Sequence, residues 1–163
     1  MERGCKQAIV RAARFYAFGL NAQRVDHAKS IGLLRSAHEQ RVPGAAWLLA
    51  ISYLFALGVV RNEERATQIL RADADDPKCR LYSAKTDEQK SAAAESLQSL
   101  AENGDTDAQL ALALAAPRSQ DERLQLLTSL SQRGHALAQS VVAFSQLESS
   151  AQQQQPQQKR QQQ

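Results

Sequence analysis

The 163-residue sequence contains few residues that interrupt helices, with 7 Gly and 4 Pro, and aromatic residues make up only 5% of it. Few aromatic residues, together with the lack of any long alternation of apolar and polar positions, argue against strands. Hydrophobic residues still make up 43% of the chain, which is enough to form a core. This composition predicts an all-α protein whose helices are joined by short turns.

Long apolar runs are also missing. The most apolar stretch ends at Arg61, so no segment has the length of a membrane span. Charges at Glu2, Arg3 and Lys6 interrupt the first residues, which therefore do not resemble the apolar core of a signal peptide. We expect a cytoplasmic protein that has no membrane partner.

Motifs of catalysis and cofactor binding are absent, since the sequence has no GxSxG, HExxH, GxGxxG or GxxxxGK[ST]. His27 and His38 would lie about 16 Å apart along one helix, too far for one metal ion. Cys5 and Cys79 have no CxxC partner, and we expect reduced thiols packed as small hydrophobic side chains. Acidic residues cluster at predicted helix starts, where they complement the helix dipole. We therefore expect a non-enzymatic protein with no metal and no cofactor.

The most apolar segment begins at Gly44. At 100° per residue it has apolar side chains on both sides of a helix that reaches Leu57, which predicts neighbouring helices on both sides. A turn after Gly58 and an N-cap at Asn62 start the next helix. Further helices are predicted over about 5–19, 26–38, 62–74, 78–84, 87–102, 107–116, 121–133 and 135–149. Predicted core residues include Ala74, Leu81, Tyr82 and Leu147.

Two sequence features that recur at a similar spacing indicate an internal repeat. Tyr16 and Tyr53 lie 37 positions apart, and the segment 104–109 is echoed 30 positions later by 134–139. Units of this length that contain two helices each are typical of an α-solenoid, in which every unit completes its core against its neighbours.

The residues of the second unit resemble the Sel-one-like repeat, a branch of the tetratricopeptide-like helical repeats. The residues that carry the resemblance are Ala45, Leu49, Ala50, Tyr53, Gly58, Val59, Ala66 and Ala72 or Ala74. The first repeat, which contains Tyr16, matches the family pattern when one turn residue is inserted. Ala50 and Ala56 stand where the family pattern has glycines, and Ile69 stands where it has an aromatic residue. The resemblance implies an α-solenoid of about four antiparallel helix-turn-helix repeats plus a terminal helix.

This interpretation divides the chain into a helical-repeat domain over 1–150 and a Gln-rich tail over 151–163, which we expect to be disordered or an extension of the last helix. Stacked helix pairs present a concave groove, so we expect an adaptor that binds a protein or peptide segment. The predicted partner-binding residues are Trp47, Ser52, Phe55, Arg11 and Arg14.

Charge is distributed unevenly. Residues 1–42 carry 8 Lys and Arg against 3 Asp and Glu, whereas residues 43–134 carry 10 against 13. Residues 1–42 thus form a basic N-terminal layer, which is either a solvated end of the domain or a surface for an acidic partner. Regulatory nucleic-acid binding is the alternative function, but no basic and aromatic motif accompanies the charge, which favours a protein partner.

Overall fold

The structure, a computed structural model, describes residues 2–18, 24–115 and 120–160, with side chains over 6–18, 24–115 and 121–151. These residues are all-helical and contain no strand, which confirms the predicted all-α class. No described helix combines the length and the hydrophobicity that crossing a bilayer requires. The helices are α1 (Glu2–Phe18), α2 (His27–Glu39), α3 (Ala45–Leu54), α4 (Glu63–Ala72), α5 (Pro77–Ser83), α6 (Asp87–Glu102), α7 (Thr106–Ala115), α8 (Gln120–Gln132) and α9 (Ala136–Arg160).

Side-chain caps explain where several of these helices begin. Asp26 and Asn62, both predicted as caps, accept a hydrogen bond from the backbone N–H three residues later, at 2.9 and 2.8 Å. Either Thr86 or Asp87 is a suitable cap for α6, and Thr86 forms it, because its Oγ1 accepts from the backbone N–H of Gln89 at 3.2 Å. Each cap pairs a backbone N–H that has no partner within the helix.

Helix α3 is the most enclosed helix of those described. Nine of its ten residues, Ala45–Tyr53, are buried, which confirms that it has neighbours on more than one side. The predicted continuation to Leu57 is wrong, since α3 ends at Leu54. The backbone N–H of Leu57 donates to the Ser52 carbonyl at 2.9 Å, and Ala56 adopts a φ of +52°, so the chain leaves the helix in a left-handed turn.

Replacing Ala56 with glycine should stabilise the chain by about 0.5–1 kcal/mol, because a Cβ is disfavoured at the left-handed φ of this position. Chemical denaturation followed by circular dichroism measures the gain. As a matched control, Ala92→Gly inside α6, where the residue is exposed and helical, should lose about 1 kcal/mol. A loss of stability at both positions would contradict the assigned turn.

The described residues group into two compact units, 1–117 and 118–163. In the first unit each helix from α1 to α7 packs against the next in chain order, and α5 also contacts α3 and α7. In the second unit α8 packs against α9, and Leu127, Leu130, Leu137 and Val141 are buried. The domain boundary predicted at residue 150 stays a prediction.

Several predicted core residues lie elsewhere. Ala74 is exposed, because α4 ends before it. In α5 the buried residue is Cys79, whereas Leu81 and Tyr82 are half-buried. Leu147 is 70% exposed, since only the first part of α9 is buried, up to Val142.

Helix α9 continues through residue 160, so over 151–160 the backbone has the helical form that we considered for the Gln-rich tail. Four sequence predictions lie outside what the structure describes: the packing of the Cys5 side chain, the helix stop at Gly19, the end of α7 at residue 116 and the last tail residues, 161–163.

Candidate functional site

Two of the five predicted partner-binding residues are buried in the interior of the first unit. Trp47 is fully buried, and its ring packs at a tilt on Tyr82 with centroids 5.7 Å apart. Ser52 is 6% exposed, and its hydroxyl donates to the Leu48 carbonyl at 2.8 Å. Neither side chain lines an exposed groove, because the helices around α3 cover both of its sides. Their burial does not favour partner binding, and their assignment to it stays a prediction.

The other three predicted residues have different positions. Phe55 is half-buried just beyond the end of α3. Arg11 is exposed on α1, and it does not belong to the lining of the cleft described next. Arg14 does line that cleft, so one of the five predicted residues lies in a concave site.

The first unit contains a cleft of about 800 Å³, which we call the charged cleft. Val10 and Arg14 of α1 form one wall. The turn from α2 to α3 and the turn from α4 to α5 both reach the cleft, and Asp107 lies in the first turn of α7. The residues of these turns and helix ends are His38, Glu39, Arg41, Pro43, Gly44, Ala72, Asp73, Asp75, Asp76, Pro77, Lys78 and Asp107.

Two groups of ion pairs hold the walls of the charged cleft. Arg14 pairs with Asp107, which joins α1 to α7 across 93 positions of sequence, and the Asp107 side chain is only 11% exposed. Lys78 at the start of α5 has its Nζ 3.8 Å from Asp76 Oδ1 and 3.6 Å from Asp105 Oδ2. The Lys78 side chain is 11% exposed, so this pair is less screened by water than a surface pair.

Asp76 combines a structural and an electrostatic role. Its Oδ1 accepts the backbone N–H of Lys78 at 2.9 Å and caps α5, which confirms the interpretation of acidic residues at helix starts. Burial raises the pKa of the Asp76 carboxyl above its ordinary value, and the Lys78 ammonium opposes that shift. Burial likewise raises the pKa of the neighbouring Cys79 thiol, which keeps it protonated as a packed apolar group.

Three further carboxylates, those of Glu39, Asp73 and Asp75, border the charged cleft. Within the part of the chain that the structure describes, none of the three forms an ion pair. Arg41 is the lining guanidinium nearest to them in sequence, and it is exposed. The open part of the cleft therefore offers more carboxylate acceptors than cations to a bound molecule.

The sequence contained a signal for this site that was interpreted only structurally. The run 73–76 holds three aspartates directly before Pro77, a pattern that by itself indicates only a helix start. That this run lines the same cleft as Glu39 depends on how α2 and α4 are placed, which no local pattern encodes. Among the described residues no group of three or more His, Cys, Asp or Glu has the arrangement of a metal site.

No protein-family model matches this chain, and no curated protein matches it either. Its function is therefore inferred from its own residues.

Proposed function

We propose that this chain is a non-enzymatic adaptor of the Sel-one-like, α-solenoid kind that binds a protein or peptide segment in the charged cleft. The observation that carries the proposal is the cleft itself. About 800 Å³ of concave space is lined by several helices and combines apolar residues with hydrogen-bonding side chains. Sites that bind extended segments in helical repeats have these properties.

Local geometry supports the repeat in the first two helix pairs. The backbone N–H of Asp26 donates to the Tyr16 carbonyl at 2.8 Å, and the N–H of Asn62 donates to the Tyr53 carbonyl at 3.0 Å. Tyr16 and Asp26 are one position further apart than Tyr53 and Asn62, which is the single insertion that the Sel-one-like pattern needs in the first unit.

The turns in the two similar segments 104–109 and 134–139, which lie 30 positions apart, also have matching hydrogen bonds. After Gly104 and after Gly134, the next backbone N–H donates to the carbonyl five residues earlier, at 3.0 and 3.2 Å. The side-chain amides of Gln109 and Gln139 donate to the carbonyl eight residues earlier, at 3.1 and 3.2 Å. Equivalent turns at a regular spacing are what stacked helical repeats require, so they favour the solenoid.

The alternative, binding of nucleic acid by the basic N-terminal layer, has less support. Lys29 Nζ lies 4.1 Å from the centroid of the Tyr16 ring, and Arg35 donates to Tyr53 Oη at 3.0 Å, so both cations contact other parts of the chain. Five carboxylates line the charged cleft, and they would repel phosphates. A peptide segment suits this lining better.

The proposal is tested by selecting random short peptides on the full chain and measuring their binding by fluorescence anisotropy. Ala72 lines the cleft and is exposed, so Ala72→Trp should obstruct the cleft and weaken selected peptides by at least about tenfold. Gln68 is exposed one helical turn earlier on α4 and does not line the cleft, so Gln68→Trp should leave binding within about twofold.

Equal binding by Ala72→Trp and the parent would refute the cleft as the site. A single-stranded oligonucleotide that binds in preference to every peptide, with affinity falling steeply as salt rises, would support the nucleic-acid alternative instead.

A further inference from the structure

We infer that the segment bound in the charged cleft is basic and presents Lys or Arg side chains to it. This inference rests on the proposed function, and it reverses the expectation of an acidic partner that the basic N-terminal layer suggests. It follows from the combination of a groove, an apolar lining and an excess of carboxylates that form no ion pair with any cation of the described residues.

The charges of the cleft divide into paired and open groups. Arg14 is occupied by Asp107, and Lys78 lies between Asp76 and Asp105. Neither cation is therefore free to bind an acidic ligand without giving up a partner that is itself mostly buried or capping a helix. What remains for a ligand is Arg41, which is exposed, and the three open carboxylates described above, so the open groups are net negative.

Those open carboxylates come from two separate turns. Glu39 ends α2, whereas Asp73 and Asp75 follow α4, so two different segments of the chain supply the open carboxylates of the cleft. Carboxylates accept two hydrogen bonds from a guanidinium and also pair with an ammonium group, and charge-assisted bonds of this kind are stronger than neutral ones.

The apolar part of the lining suits the same side chains. Val10, Pro43, Ala72 and Pro77 line the cleft between the charged groups. Lys and Arg have aliphatic stems that cover apolar surface while the charged end reaches carboxylates, so a basic segment uses both kinds of lining at once. A phosphate or an acidic side chain could pair only with Arg41 there and would be repelled by the three open carboxylates.

The net charge of the chain distinguishes a specific site for basic peptides from general electrostatic attraction. The whole chain carries a formal charge of +3, so at long range it repels cations. A preference for a basic peptide must therefore come from a local site.

The test uses the framework of the strongest peptide from the selection, synthesised with Arg, with Gln or with Glu at the same positions. The parent chain should bind the Arg version at least about tenfold more tightly than the Gln version, and the Glu version most weakly. The variant Glu39→Gln/Asp73→Asn/Asp75→Asn should lose about tenfold for the Arg version alone.

A matched control removes three exposed carboxylates outside the cleft, Glu64→Gln/Glu95→Gln/Glu102→Gln. It changes net charge by the same amount and should alter binding by less than about twofold. Because the comparison of the three peptides uses the parent chain, the inference stays testable even where a triple variant fails to fold.

The outcomes separate the two proposals. If Ala72→Trp blocks binding but the Gln or Glu version binds as tightly as the Arg version, the basic occupant is refuted and the peptide-binding function stands. If no peptide responds to Ala72→Trp, both are refuted. If the control triple variant loses as much affinity as the cleft triple variant, the attraction is general and the inference is wrong.

Discussion

Trp47→Ala should lower the free energy of unfolding by about 3–5 kcal/mol, because removing a fully buried indole leaves a cavity and loses its contact with the Tyr82 ring. The side chain joins α3 to α5, so the loss affects the interior of the first unit rather than a surface. Urea denaturation followed by far-ultraviolet circular dichroism measures the change, since the variant contains no tryptophan for fluorescence.

Two controls sharpen this prediction. Trp47→Phe keeps an aromatic ring in place, and it removes an indole Nε1 that has no hydrogen-bond partner among the residues described, so it should cost less than half as much. Phe15→Ala removes an aromatic side chain that is 37% exposed and should cost about 1 kcal/mol or less. An unchanged unfolding midpoint in Trp47→Ala, combined with lost peptide binding, would support Trp47 as a partner-binding residue.

Gly58→Ala should cost about 2–4 kcal/mol for two separate reasons. Gly58 has a φ of +77°, which disfavours any residue with a Cβ. A Cβ there would also lie 2.3 Å from His27 Cβ, at the first residue of α2, so one of the two segments must move. The midpoint of thermal or urea unfolding reports the loss.

The cost of the left-handed φ and the cost of the clash with His27 can be measured separately. Gly104 has a φ of +89°, and a Cβ at this position would have no neighbouring atom within 4 Å, so Gly104→Ala should show the backbone cost alone, about 1 kcal/mol. Combining Gly58→Ala with His27→Gly should recover part of the loss, which a double-mutant cycle quantifies. Equal costs at Gly58 and Gly104 would mean that the turn after α3 does not press against α2.

Sequence reasoning located the helices well because their signals are local. The caps at Asp26, Asn62 and Thr86 act within three residues, and apolar periodicity acts within a few turns. The error at the end of α3 arises where a local signal is missing. Ala56 has no intrinsic preference for a left-handed φ, so nothing in its identity marks the turn that the surrounding packing imposes on it.

By itself, the sequence determined that the chain is all-helical, where its helices begin and that α3 is enclosed, because composition, caps and two-sided hydrophobicity depend on residues close together in the chain. Only the tertiary structure decided which side chains line a cleft. Trp47 and Ser52 became interior residues when neighbouring helices covered both sides of α3, and Arg14 met Asp107 from 93 positions away. Contacts between such distant residues depend on how whole helices pack, and no spacing within one helix carries that information.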